Sequence, residues 1–444
     1  MEKRLTRRRF LKNSGRAVAG GVAALAASKF ARRTIAAESK GPVGANERVG
    51  VGFIGVGGRG TWHVRTFRSF PDVEVVAVCD PHQGRVSGAV EAAGGSVKGF
   101  KDYRELLNLK EVDAVVVSTT GHWHALPAIH ACQAGKDIYV EKPLALTIGE
   151  GRAVVTAARK HNRIAMIGTQ NRSSPSFQKA VEIVRSGTLG KVGLVHVWAN
   201  EQWGPKGFGR PDDTEPPKEL DWDLWLGPSP KAPYNPNRYF HNFFFWDYGG
   251  GWQSEVGVHH YDIVHWAMGC DTPLSCQAAG GKFMLDDNTE IPDTFTAIWE
   301  YPGFVMTFRT TYANTTAFEQ RQRGTIFHGT NGTMVLDGHA PGIKIFGETV
   351  GGKKVLEDSF TGEDLPEGNV LHQKEFIRCI KERHHPFADI EMGHKSSVPG
   401  HLSNIAYRVG RKIRWDTKAE KVIDDAEANA LVTRKYREPW VLPT

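Results

Sequence analysis

A chain of 444 residues, 40% of them hydrophobic and 24% charged, is too long for one ordinary core and too apolar to be disordered, so two globular domains are expected. The net charge of +7 is confined to the start: residues 1–36 hold ten Lys/Arg against one acid, and the remainder holds 46 basic and 48 acidic residues. A body this close to neutral carries no electrostatic footprint for nucleic acid.

The basic start reads as an export signal. Thr6-Arg7-Arg8-Arg9-Phe10-Leu11-Lys12 matches the twin-arginine pattern and precedes a mildly apolar run from Ala17 to Ala27. That run is too short and too rich in Ala and Gly for a stable membrane span, and no other segment approaches one. Small residues at Thr34-Ile35-Ala36-Ala37 suit a signal peptidase. Residues 1–37 are therefore expected to direct a periplasmic, exported protein through the twin-arginine machinery, with residues 38–47 as a polar arm. The five cysteines (Cys79, Cys132, Cys270, Cys276, Cys379) are scattered and form no C-x-x-C pair. Folding in the cytoplasm before export accounts for an oxidising destination without a disulfide framework.

Val49 to Ile54 is a short apolar strand that runs into Gly55-Val56-Gly57-Gly58-Arg59-Gly60, a G-x-G-x-x-G turn before a helix. Such glycines permit the tight turn, and the helix offers its first amides to a pyrophosphate. A second strand, Val73–Cys79, ends in Asp80, where an acid accepts hydrogen bonds from ribose hydroxyls and repels a 2′-phosphate. NAD is thus favoured, while Arg85 and Lys101 keep NADP open. Alternation continues through strand Asp113–Thr119, helix Ala125–Ala134 and strand Lys136–Val140. Thr147-Ile148-Gly149-Glu150 is a capping box for a helix to about His161, and Arg163–Thr169 is a further strand. This is an α/β pattern, a doubly wound parallel sheet over residues 48–170.

Within it, Asp137–Val140 ends abruptly in Glu141-Lys142-Pro143. Proline stops the ladder and restricts the residue before it, which places Lys142 at the carboxyl end of a parallel strand, where ligands bind in open α/β sheets. Gln170 and Arg172, at the end of the strand from Arg163, are expected to point into the same cleft. After Gly190 strands follow one another without helices: Val192–Ala199, Ser275–Phe283, Thr294–Tyr301, Val305–Tyr312, Thr325–Phe327, Thr333–Leu336 and Ile343–Phe346. They predict an α+β domain over residues 171–444 with a large, mostly antiparallel sheet. Glu201–Gly251 is a long aromatic-rich insertion of the kind that is usually functional. Helices are expected at Asn369–Glu382 and His401–Arg414.

A dinucleotide fold, Glu-Lys-Pro and a following sheet domain together resemble the Gfo/Idh/MocA oxidoreductase family, whose namesakes include glucose–fructose oxidoreductase and inositol dehydrogenase. Gly121-His122-Trp123-His124-Ala125-Leu126-Pro127, Leu220-Asp221-Trp222-Asp223-Leu224-Trp225-Leu226-Gly227-Pro228 and Trp246-Asp247-Tyr248-Gly249-Gly250-Gly251 look like its exported branch. The resemblance implies that Lys142 projects beside the nicotinamide and binds the substrate hydroxyl. It also implies a second catalytic element on a helix, here Glu255-Val256-Gly257-Val258-His259-His260-Tyr261-Asp262, with Glu255 where the family usually has Asp. The i, i+4 spacing puts Glu255 and His259 on one helix face, with an imidazole suited to act as base and an acid to orient it. Asp262, further along, is placed to brace the helix. Gly55, Gly57, Gly58, Arg59, Gly60, Asp80, Thr119, His124, Glu141 and Lys142 are assigned to the cofactor. Gln170, Arg172, Trp246, Tyr248 and His260 are assigned to the substrate, the two aromatics as platforms for a sugar ring.

The resemblance implies hydride transfer between NAD, or NADP, and a secondary hydroxyl of a sugar or cyclic polyol, by a homo-oligomer. An exported enzyme cannot count on free nucleotide, so the cofactor is expected to be tightly held and regenerated in place. Oxidising one sugar while reducing another meets that need. So does a redox-neutral glycosidase cycle, in which a transient keto-sugar permits elimination before the hydride returns. A non-catalytic sugar- or nucleotide-binding protein is the alternative from another class. His122, His124, His259, His260 and His372 form no recognisable ligand set, so no metal is assigned.

Overall fold

The computed structural model describes residues 47–443 apart from 316–320, 339–341 and 362–367. The expected export signal, and the polar arm except Glu47, lie outside the described residues. No described helix is long and apolar enough to cross a membrane.

Strands β1 (Val49–Ile54), β2 (Val73–Cys79), β3 (Lys98–Phe100), β4 (Ala114–Val117), β5 (Asp137–Val140) and β6 (Ala165–Ile167) form a parallel sheet in the order β3-β2-β1-β4-β5-β6. Every residue of β1, β4 and β5 is buried, as central strands covered by helices on both faces require. Strand order reverses between β1 and β4, so the crevice at their carboxyl ends is where this topology binds ligands. The expected capping box is present: the Thr147 hydroxyl accepts from the Glu150 N–H at 3.3 Å and starts the helix Ile148–Lys160.

The second sheet comprises β7 (Val192–Ala199), β8 (Ser275–Gly281), β9 (Thr294–Tyr301), β10 (Phe304–Thr311), β11 (Arg323–Gly329), β12 (Gly332–Asp337) and β13 (Ile343–Gly347), followed by β16 (Ser359–Thr361), β17 (Ile413–Asp416) and β18 (Lys421–Val422). A hairpin of β14 (Thr349–Val350) and β15 (Lys353–Lys354) stands apart from it. The order is β16-β13-β12-β11-β7-β10-β9-β8-β17-β18, antiparallel except for the parallel pairing of β10 with β7. Burial alternates along β9 and β10, so one face packs on helices and the other faces out.

Three features differ from the sequence pattern. The last long helix runs Ile390–Val409, and Arg414 belongs to β17. Pro399 lies inside that helix, and because a proline ordinarily ends one, the pattern reads as beginning after it. The insertion 201–251 is no plain loop; it carries the helices Trp222–Leu226 and Pro236–Phe240 and a core of its own around Trp225, Tyr239 and Tyr248. The chain also returns to the first domain beyond residue 170, since Phe376, Ile377 and Ile380 of the helix Gly368–Glu382 pack into the core of the parallel sheet.

Candidate active site

The glycine-rich turn is built for close backbone approach. Gly55 has φ +83°, and a Cβ there would lie 2.6 Å from the Thr119 nitrogen; at Gly60 it would lie 1.9 Å from the Gly55 carbonyl oxygen. Gly58 has no neighbour within 4 Å, and no side chain caps the helix Gly58–Arg68, so its first amides are left for a ligand. Asp80 follows β2 and accepts the Val56 and His82 N–H groups, each at 3.0 Å. Burial pushes its carboxyl above the usual value, against the nearby Arg85 charge.

Asp80, Arg85, Lys101, Ser118 and Thr119 line one crevice with the glycines. Ser118 Oγ and Thr119 Oγ1 are buried there without a protein partner. An open amide turn, an acid at the end of β2 and orphaned hydroxyls at the strand ends fit a dinucleotide. Gly55, Gly57, Gly58, Gly60, Asp80 and Thr119 are the residues placed to hold it.

Two walls of this crevice escaped the sequence pattern. Leu224 and Trp225 come from the insertion, which is clipped onto the loop after β2 where Gln83 N–H donates to the Glu219 carbonyl at 2.8 Å and Asp221 N–H to the Pro81 carbonyl at 3.0 Å. The tail then straps the insertion down. Arg437 Nε donates to the Gly227 and Ser229 carbonyls at 3.0 and 3.1 Å, and Trp440 packs edge-on against Trp123 with ring centres 4.8 Å apart. The clip joins segments more than a hundred residues apart, which no local pattern reports.

Lys142 leaves the carboxyl end of β5 with its Nζ 3.9 Å from Glu255 Oε2, and both side chains are largely buried. Burial raises the Glu255 carboxyl to about 7, partly offset by the Lys142 charge. Burial, reinforced by Lys142, holds the His259 imidazole well below its usual value, and its buried Nδ1 has no protein partner. The site thus joins an ammonium, a carboxyl that titrates near neutrality and a neutral imidazole. Glu255 and His259 do not share one continuous helix. Glu255 ends the short turn Trp252–Glu255, Val256 breaks it, and His259 lies in the first turn of Gly257–Met268.

Several assigned side chains are engaged elsewhere. Arg59 donates through Nε to Glu141 Oε1 at 2.7 Å, rather than facing a phosphate, and His63 Nε2 meets the same oxygen at 2.8 Å. Glu141 is accordingly a buried anion behind Lys142 and not a cofactor ligand. Arg59 and His63 share a helix face at i, i+4, the signal that could have revealed this pairing. His124 lies with its two ring nitrogens 2.6 and 3.0 Å from the Pro143 and Thr119 carbonyls; burial keeps the ring neutral, so its one N–H donates to one of them and the ring sits wedged between two strand-end loops. Arg172 is buried in an ion pair with Asp262 at 2.7 Å, and Asp262 also takes the Ser396 hydroxyl, so Asp262 braces the helix as expected. His260 Nδ1 meets Thr325 Oγ1 on β11 at 2.9 Å. Tyr248 is fully buried against His122 and Trp225, and Trp246 lines a separate cavity. Neither aromatic is a platform beside Lys142. Gln170 follows β6 with its Oε1 buried and unpartnered. Among the described residues no three or more His, Cys, Asp or Glu side chains are grouped to hold a metal.

A doubly wound dinucleotide sheet with Lys142 at the carboxyl end of β5, one strand beyond the switch point, fits an NAD-binding oxidoreductase of two domains. The sequence profile of the "Oxidoreductase family, NAD-binding Rossmann fold" matches residues 49–169, and that of the "Oxidoreductase family, C-terminal alpha/beta domain" matches residues 178–307 and 355–442. The chain belongs to the Gfo/Idh/MocA oxidoreductase family. It is 36% identical over 201 residues to an alpha-N-acetylgalactosaminidase of Shewanella oneidensis, covering 42% of this chain and 44% of that protein. It is 34% identical over 147 residues to the inositol 2-dehydrogenase of Salmonella typhimurium, covering 33% of this chain and 44% of that one. The match thus spans under half the length of these curated relatives. In three dimensions it resembles a levoglucosan dehydrogenase in complex with NADH and levoglucosan, with TM-score 0.64, 17% identity, and coverage of 83% of this chain and 99% of that one. It also resembles the WlbA dehydrogenase of Bordetella pertussis in complex with NADH and UDP-GlcNAcA, with TM-score 0.63, 19% identity, and coverage of 83% and 99%. At such identities the likeness is one of fold.

Proposed function

We propose that this protein transfers hydride between NAD and a secondary hydroxyl of a sugar or cyclic polyol. The observation that carries the reading is the Lys142–Glu255 pair, with a neutral His259 that feels the Lys142 charge; a Cβ at Gly121, next to the crevice-lining Thr120, would lie 3.8 Å from Glu255 Oε1. NAD, when bound, accepts or returns the hydride. Lys142 Nζ donates a hydrogen bond to the substrate oxygen and stabilises negative charge as it develops there. The His259 imidazole, uncharged at neutral pH, takes the hydroxyl proton and gives it back in the reverse direction. Glu255 holds the Lys142 ammonium and sets the charge of the pocket.

The insertion and the tail that close the crevice support a retained cofactor, as the twin-arginine-like start does for an enzyme working after export. Asp80 favours NAD, although Arg85 and Lys101 leave NADP a second candidate. The test is to purify the protein, desalt and denature it, and identify the released nucleotide by mass. Sugars and polyols, singly and in pairs, are then offered to the wild type, Lys142→Ala and His259→Ala. Expected is near-stoichiometric NAD, with turnover in the wild type alone. Unchanged turnover in both variants would remove the assignment.

A redox-neutral glycosidase reading is favoured by one observation, the similarity to the α-N-acetylgalactosaminidase. Here the same groups act at the hydroxyl; the resulting ketone acidifies the adjacent C–H, loss of that proton expels the aglycone, water adds to the unsaturated ketone left behind, and return of the hydride gives the free sugar. Release of aglycone from nitrophenyl glycosides without added nucleotide would mark this cycle, and a glycoside left intact while free sugars turn over would exclude it.

A further inference from the structure

A second cavity of about 260 Å³ lies between the domains, and neither Lys142, Glu255 nor His259 lines it. Its walls come from five parts of the chain: Leu146 and Thr147 after β5, Pro230, the segment Trp246–Gly250, the helix Ile390–Val409, and the stretch Ala430–Lys435. The backbone of Tyr248–Gly251 separates it from the redox centre. A Cβ at Gly121 would lie 3.2 Å from the Tyr248 carbonyl oxygen and 3.8 Å from Glu255 Oε1, and Glu255 N–H donates to the Gly251 carbonyl at 2.8 Å.

The lining is polar and incompletely satisfied. His401 is 8% exposed; its ring is bonded to the Ala145 carbonyl, and its Nε2 is buried without a protein partner. The half-buried Trp246 indole forms a wall; it stacks with Tyr407 at 6.4 Å between ring centres and has the Arg408 guanidinium carbon 5.4 Å from its own, which leaves the remaining ring surface for a ligand. Arg408 has no hydrogen-bonded carboxylate or carbonyl among the described residues, and Asp247 is the acid it senses. Arg434, by contrast, is committed to Glu150, Ser229 and the His122 carbonyl at 2.8–3.0 Å. The uncommitted charges are therefore Arg408 and Lys435 against Asp247, a net positive balance. An indole wall, a lone imidazole acceptor, a carboxylate and a guanidinium whose N–H groups have no acceptor among the described residues match the mixed faces of a sugar: apolar C–H surface, hydroxyls that donate and accept, and an acidic substituent.

We propose that this cavity is a second carbohydrate site, for a sugar bearing an acidic group such as a hexuronic acid. Arg408 pairs with the acidic group, His401 Nε2 accepts a hydroxyl, Asp247 accepts another, and Trp246 packs on the ring. The assignment is independent of the chemistry at Lys142. Because Thr147 belongs to the first domain and Arg408 to the second, an occupant also bridges the two.

The test is calorimetric titration of the full protein with D-glucuronate, D-glucose and sulfate. Saturable glucuronate binding is expected, with D-glucose at least about tenfold weaker because it lacks the charge-assisted bond. Arg408→Gln and Trp246→Leu should each weaken glucuronate by about tenfold, Arg408→Lys less, and Lys142→Ala should leave it unchanged. Arg408→Lys and Trp246→Leu keep the test sound if Arg408→Gln folds poorly. No glucuronate binding, binding indifferent to Trp246 and Arg408, loss on Lys142→Ala, or sulfate as strong as glucuronate would each overturn the proposal.

Discussion

Arg59 Nε lies 2.7 Å from Glu141 Oε1, which ties the helix of the glycine-rich turn to the residue before Lys142. His63 Nε2 reaches the same oxygen at 2.8 Å, and Glu141 Oε2 receives the Lys142 N–H at 3.3 Å. One buried anion therefore joins the helix of the glycine-rich turn to the backbone that carries the lysine. Burial alone would raise the Glu141 carboxyl, yet His63 and Arg59 hold it well below 4.5.

Glu141→Gln leaves Arg59 and His63 facing a neutral amide in a buried site and should cost about 3 kcal/mol in urea unfolding at pH 7. The folded carboxyl titrates lower than the unfolded one, so its contribution is complete above about pH 4.5 and declines as the pH falls further. Wild type and variant should therefore converge in acid. A gap that stays constant from pH 7 to pH 3 would show that shape, not charge, is lost.

Glu255 has the opposite sign. Burial lifts its carboxyl from 4.5 to about 7, so its effect on stability is fully favourable below pH 4.5 and is lost as the pH rises towards 7. At pH 8 the wild type carries an ionised carboxylate at a cost on the order of 3 kcal/mol, the equivalent of that shift. Glu255→Gln should be the more stable protein at pH 8 by up to this amount and no more stable at pH 4. Equal unfolding midpoints at both pH values would mean that the Lys142 charge cancels the burial.

What the sequence made legible was local. Gly55, Gly60, Asp80 and Lys142 fall where expected because each is fixed by its own strand end, and a strand end is read from a few neighbouring residues. Arg172, Trp246, Tyr248 and His260 went elsewhere because their partners are distant in the chain: Asp262 is 90 residues from Arg172, and Thr325 is 65 from His260. An aromatic residue carries no sign of whether its ring meets a cleft or a core, so Tyr248 read as a platform although it is an interior wall. The i, i+4 rule brought Glu255 and His259 to one site, but it presumes an unbroken helix, and Val256 interrupts this one.

Asp80 is the residue on which the proposed preference for NAD over NADP rests. Its two oxygens hold the Val56 and His82 amides; Asn in its place keeps the shape and one of these bonds, turns its NH2 towards the other amide, and loses the charge that repels a 2′-phosphate. Asp80→Asn should weaken NADH by about tenfold, one charge-assisted bond to ribose, and strengthen NADPH through Arg85 and Lys101. Fluorescence titration of apoprotein with both nucleotides measures the ratio. An unchanged ratio would place discrimination in Arg85 and Lys101 alone.

Gly227 tests whether the insertion retains the cofactor. It ends the helix Trp222–Leu226 at φ +50°, and a Cβ there would lie 2.0 Å from Trp123 Cζ2. Its carbonyl also accepts Arg437 from the tail, while Trp123 and Trp225 line the dinucleotide crevice. Gly227→Ala therefore strains the backbone and pushes against one wall of the crevice, at a cost of about 1–3 kcal/mol. The variant should melt lower and lose nucleotide during desalting at a rate the wild type does not show. Arg437→Ala, which removes the strap without touching the wall, should shift nucleotide loss in the same direction with a smaller change in melting. If both variants keep their nucleotide while Gly227→Ala still melts lower, the insertion stabilises the fold and the cofactor is held by the glycine-rich turn and Asp80 alone.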